Sequence, residues 1–131
     1  MKLSTGNKLK LSTHQFSKPT QCTLWNDPNA IRGQHKDIFE TIDTYVDDEH
    51  LIRRLLKCQE CGQLYFYEMY EEIDWVDGDD PQYRTYIPVS DMTEVEILNT
   101  TATSELLLAS PALHSDFPKD AAAPRNYWVG K

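Results

Sequence analysis

"LYFYEMYEEIDWVDGDDPQYRTYIPV", residues 64–89, decides how this chain folds. In its first half, alternation places Tyr65, Tyr67, Met69 and Glu71 on one face and Leu64, Phe66, Glu68, Tyr70 and Glu72 on the other. That is the period of two of a β-strand, and both faces begin apolar and end acidic. "DGDDPQ" at 77–82 is dense in turn formers, and "YRTYIPV" at 83–89 returns to aromatic and β-branched residues. The expectation is an antiparallel hairpin of 64–75 with 83–89 around a long acidic tip. Pro88, which has no N–H to give a ladder, marks the later strand as an edge or the place where pairing ends.

Upstream of the hairpin the spacing turns helical. Ile38, Ile42 and Tyr45 recur at four and three, and the pairs Leu51, Ile52 and Leu55, Leu56 fall four apart behind Asp47 and Asp48. Aspartates at a helix start satisfy its free N–H groups and meet the positive end of its dipole, and Arg53, Arg54 and Lys57 would sit at the negative end. The reading predicts a helix over about 48–57 and a second one before it. Further upstream, "PTQCTLWNDPNAIRGQH" at 19–35 reads as a strand entering a loop, and "KLST" at 2–5 and again at 10–13 suggests a small edge hairpin.

Downstream, Asp91 and Glu94 form a D-x-x-E capping pattern ahead of Val95, Ile97 and Leu98, which starts a helix. Glu105 to Ala109 adds a helical turn that ends before Pro111. The stretch 110–126 reads as an irregular strap, with "NYWV" at 126–129 packing back on the fold or adding a short strand. Together these predict one α+β domain over 1–131, an antiparallel sheet packed against a few helices.

The charge is strongly divided. The chain carries -8 overall, yet residues 1–26 hold four lysines and no carboxylate, which leaves -12 on the remainder. Residues 58–83 contain eight acids and no Lys or Arg. Such a surface repels phosphate backbones and anionic lipid and attracts cations, so nucleic acid and membrane are disfavoured and a basic protein partner is expected. The start lacks the apolar core of a signal peptide, and no apolar run reaches the ~18 residues of a membrane span. The cytoplasm is the expected compartment. Tyrosines interleaved with carboxylates supply contact area and steering for such a partner, on a candidate surface of Tyr65, Tyr67, Glu68, Tyr70, Glu72, Asp74, Asp77, Asp79 and Asp80.

Cys58-Gln59-Glu60-Cys61-Gly62 has the spacing at which two thiolates reach one tetrahedral zinc, and the glycine permits the tight turn this needs. Cys22 and His35 are the chosen remaining ligands. Two readings stay open, a zinc site or a set of reduced cysteines that pack the start of a strand. A redox role is disfavoured, because the motif precedes a strand and no helix dipole lowers a thiol pKa there.

No catalytic residues emerge. A nucleophile elbow, a phosphate-binding glycine loop and an H-E-x-x-H motif are all missing from the sequence, and "DWVDGDD" lacks the ligand spacing of an EF-hand. Adjacent carboxylates Glu71 and Glu72 would point to opposite faces of a strand. The chain is therefore expected to bind and not to catalyse, with a structural zinc-binding protein of unknown partner and an enzyme of unrecognised type as the alternative readings. In size, charge and hairpin composition over about residues 45–90 it resembles the small acidic immunity proteins of bacterial toxin–immunity pairs, a resemblance that implies neutralisation of a basic toxin such as a nuclease. The cysteine motif resembles the knuckles of zinc-ribbon proteins, without their second CxxC.

Overall fold

The computed structural model describes residues 11, 13–31, 35–73, 76, 78, 80–119 and 121–131, the side chains of 35 and 36 excepted. Most of the expected "KLST" hairpin lies outside the described residues, as do positions 74, 75, 77 and 79 of the acidic tip. Six strands, β1 (Phe39–Asp47), β2 (Leu51–Cys58), β3 (Leu64–Glu71), β4 (Gln82–Val89), β5 (Ala112–Phe117) and β6 (Arg125–Val129), form one antiparallel sheet in sequence order. The α+β class expected from sequence is the one observed.

The β3–β4 hairpin pairs from Leu64 opposite Val89 to Glu71 opposite Gln82, as the alternation requires. Pro88 sits opposite Tyr65, while the β4–β5 ladder runs only from Gln82 to Tyr86. The proline thus falls where β4 has one neighbour, so its missing N–H leaves no gap between β4 and β5.

Residues 48–57 are not a helix. They form most of β2, which pairs with both β1 and β3. The apolar pairs that mimic a helical stripe arise because this strand is buried on both sides. Leu55 enters one core with Phe66, Ile87, Val95 and Leu98, while its neighbour Leu56 enters the other with Tyr65, Tyr86, Phe39 and Leu113. A strand between two cores has no polar face to reveal its period. The segment before it is also mainly strand. β1 is an edge with register shifts at Thr41/Asp43 and Thr44/Val46, which leave Ile42 and Tyr45 outside the regular pairing, and such irregular, polar edges resist further pairing.

Helices cover both faces. On one side lie α1 (Thr23–Asn26), a 3-10 turn (Pro28–Ile31) and α2 (His35–Ile38), where a strand was expected around Cys22. On the other side α3 (Met92–Asn99) and α4 (Thr103–Leu106) follow β4. Asp91 caps α3 as predicted: its carboxylate accepts from the Glu94 N–H at 3.0 Å, and Glu94 in turn accepts from the Ser90 N–H at 2.7 Å and contacts His14 Nε2 at 2.7 Å.

The far end of α3 is held by a buried arginine. Arg53 of β2 donates to the Asn99 and Thr101 carbonyls at 2.9 and 2.6 Å and pairs with Glu68 of β3 at 2.9 Å. A cation at the carbonyl end of a helix satisfies groups that have no partner within it. The 110–126 strap is a correction as well, since Ala112–Phe117 is β5, whereas "NYWV" does add a strand, β6. Trp128 of β6 donates to the Leu24 carbonyl at 2.7 Å and meets Trp25 edge-on at 4.8 Å, fastening the last strand to α1.

A candidate metal centre and an acidic aromatic cavity

The turn between β2 and β3 carries Cys58 and Cys61. Gly62 has φ +83, a conformation that strains any residue with a Cβ, and its N–H donates to the Cys58 carbonyl at 2.8 Å. The loop before α1 lays Cys22 over this knuckle. It is fixed by Gln21 Nε2 donating to Gln63 Oε1 at 2.8 Å and by the Thr23 hydroxyl donating to Glu60. From the third side, the Gln59 N–H donates to the Ile38 carbonyl at 2.9 Å, which brings the end of α2 against the turn.

The three sulfurs lie within 4.8 Å of one another, with Cys22 Sγ and Cys58 Sγ 3.9 Å apart. Thiolates around one tetrahedral zinc stand about 3.8 Å apart, given Zn–S bonds of ~2.3 Å. All three cysteines are free thiols, Cys22 and Cys58 are buried and Cys61 is half-buried. They could hold a metal ion. Beside them the Tyr65 hydroxyl is buried without a nitrogen or oxygen partner and interacts with the Cys22 thiol.

Burial pushes the Cys22 thiol up to about 12. Burial acts on Cys58 in the same direction, but the Cys61 and Glu60 backbone N–H groups and the two neighbouring thiols outweigh it and bring its pKa below the ordinary value. The turn therefore already stabilises one thiolate, the form a metal requires. Cys22, Cys58 and Cys61 are together as the spacing suggested. The side chain of His35, the expected fourth ligand, lies outside what the structure describes. The knuckle joins two strands, not a helix and a strand.

The tyrosine and acid surface expected along β3 is reorganised by the two-sided burial. Tyr65 and Tyr67 are interior residues, and Glu68 is buried in its pair with Arg53, so these three are withdrawn from the partner-facing surface. Asp74, Asp77 and Asp79 lie outside the described residues. Asp80 is half-buried at the start of β4's approach. Tyr70 and Glu72 remain, and they line a cavity of about 760 Å³ between the end of the sheet and α4.

Residues from distant segments complete that cavity: Tyr83 of β4, Asp116 of β5 and Tyr127 of β6, with Thr103 and Leu107 opposite. Tyr70 and Tyr83 are register partners with stacked rings 6.5 Å apart. Asp116 faces Tyr83 across the ladder and accepts the Tyr127 hydroxyl at 2.5 Å. Burial, then Glu72 and Asp116, push the Tyr83 hydroxyl above its ordinary pKa, and burial with the Asp116 hydrogen bond raises Tyr127 to about 12. Both phenols thus stay neutral. Among the described residues no Lys or Arg lines the cavity, and Glu68, which does, is matched by Arg53, so Glu72 and Asp116 set a negative field over aromatic walls. At the cavity's edge Arg125, the register partner of Asp116, lies over the Tyr127 ring at 4.7 Å, and His114 stacks on that ring at 5.4 Å.

Asp116 and Tyr127 were absent from the sequence-based surface. Their only local signals are the alternation of 112–117 and the "NYWV" strand, and neither tells which β3 residues they adjoin. Among the described residues no helix is long and apolar enough to cross a membrane. Comparison with protein-family models, curated proteins and solved structures finds no match to this chain.

Proposed function

We propose that this chain is a non-catalytic binding module that receives a lysine- or arginine-bearing segment of a basic protein partner in its acidic, tyrosine-lined cavity. The observation that carries the reading is the convergence of Glu72 and Asp116 with Tyr70, Tyr83 and Tyr127 around one opening that, among the described residues, no Lys or Arg lines. Carboxylates steer a cation in, and tyrosine faces then hold it through ring quadrupoles while excluding water. The surplus negative charge of the chain extends the attraction beyond the cavity. Inhibition of a basic toxin such as a nuclease is the specific activity that this chemistry and the resemblance to acidic immunity proteins favour.

Affinity capture from the native cell with the wild-type chain, and in parallel with the Glu72→Lys/Asp116→Lys variant, tests this. The expected result is a basic protein retained by the first and lost by the second. A partner retained equally by both would place the interface elsewhere.

In this proposal the cysteine triad is a structural zinc site that clamps the β2–β3 turn to the loop before α1, with His35 or water as the fourth ligand. A second reading, a structural metal protein whose role does not involve the cavity, is favoured by the sulfur geometry alone. Metal analysis of the captured sample separates the two: zinc near one per chain without any cavity-dependent partner would support the second.

A further inference from the structure

We infer that the opposite face of the sheet carries a separate pocket for a small organic oxyanion, a carboxylate or phosphate on a partly apolar body. Cross-strand register builds its floor. Ile52, Met69, Arg84, Ser115 and Asn126 follow one another across β2 to β6, and Arg54 stands in the adjacent row beside Tyr67. These residues border a pocket of about 420 Å³, within the range of small-ligand sites.

The two arginines are the unusual feature. Arg53 and Arg54 are neighbours on a strand and so face opposite sides, and their treatment differs. Arg53 spends its donors on Glu68 and on the carbonyls at the end of α3. Arg54 has a buried Nε with no hydrogen-bond partner. Arg84 donates to neutral acceptors, the Tyr67 hydroxyl at 3.3 Å and Gln82 Oε1 at 3.0 Å. Among the described residues neither arginine forms an ion pair, and no carboxylate lines the pocket.

In a chain of 21 acids and 13 Lys and Arg, two arginines converging on one floor without a counter-charge are out of keeping with the composition. A buried guanidinium N–H left unmade is costly, and a planar fork of donors matches carboxylate or phosphate. Ile52 and Met69 supply apolar wall, and the buried Asn126 Oδ1, also without a partner, would accept a hydroxyl or amide from the ligand. The acidic surroundings disfavour an extended polyanion, so the ligand is small.

The test is an NMR titration of the full chain with phenyl phosphate, with phenylacetate and, as a cationic control, with benzyltrimethylammonium, following the arginine Nε–H resonances. Saturable shifts of the Arg54 and Arg84 signals with at least one anion and none with the ammonium are expected. The stronger of the two anions identifies the head group. Arg54→Gln and Arg84→Gln should each weaken binding roughly tenfold or more, with Arg54→Lys intermediate. Absence of saturable shifts for both anions up to ~10 mM, equal binding of the ammonium, or unchanged binding in both glutamine variants would overturn the inference. The wild-type titration decides the first two outcomes even if a variant fails to fold.

Discussion

Replacing Arg53 by methionine should destabilise the fold by about 3–5 kcal/mol, the cost of leaving one member of a buried ion pair alone. The structure supports the upper part of that range. Arg53 and Glu68 are 6% and 3% exposed, and Glu68 would keep only the Thr103 hydroxyl at 3.0 Å among its present partners. The Asn99 and Thr101 carbonyls would lose their donors too, at roughly 1 kcal/mol each. Urea unfolding is the assay: with a slope of about 1.5–2 kcal/mol per molar for a domain of this size, the midpoint should fall by roughly 2 M. Arg53→Met with Glu68→Met should recover much of the loss, because a buried pair replaced by apolar groups is often neutral. A single-variant shift below about 0.5 M, or a double variant no better than the single, would refute the reasoning. Because Glu68 and Thr103 line the acidic cavity, the same substitution should also disturb whatever that cavity binds.

Gly62→Ala should cost about 1 kcal/mol or more from its φ of +83 alone, and should weaken the retention of a metal ion loaded on the cysteine triad in a chelator competition, since the strain falls on the turn that sets Cys58 and Cys61. Two histidines should give stability slopes of opposite sign. The Glu71 hydrogen bond raises His50 above 6.5, so its contribution is complete below that pH and is lost as pH rises through the folded-state value; the Gln82 hydrogen bond, and after it the His50 contact, lower Glu71 below 4.5, where acid removes the pairing. Burial lowers His114 below 6.5, against the opposing pull of Asp116, so acidification below 6.5 destabilises the fold through it. Urea midpoints at pH 5, 6 and 8 for His50→Gln and His114→Gln should separate the two, the first losing more at pH 5 and 6 than at pH 8 and the second losing acid sensitivity. Hydrogen exchange should be slowest in β3 and β4, the two strands farthest from the sheet's edges, and fast in exposed β1.

The parts of this fold that were legible in the sequence are those written locally. The β3–β4 hairpin shows its alternation and turn, and Asp91 with Glu94 shows its cap, within a few residues. Cys22, Cys58 and Cys61 were legible as chemistry, because few residue types compete for that role. β2 was not, because Leu55 and Leu56 go to different cores and erase the period of two. Glu68 looked like a surface acid for the same reason: its partner Arg53 lies on another strand, and the pairing register alone brings them together. The cavity draws Asp116 and Tyr127 from strands far along the chain, and a mostly local reading cannot unite them.

The most direct measurement is an NMR footprint of a labelled hexa-arginine peptide on the wild-type chain and on Glu72→Lys/Asp116→Lys at several salt concentrations. The account predicts shifts centred on Tyr70, Tyr83 and Tyr127, an affinity that falls steeply with salt, and binding weakened at least ~10-fold in the variant. Equal affinity in both chains, or shifts that leave those three tyrosines untouched, would contradict it.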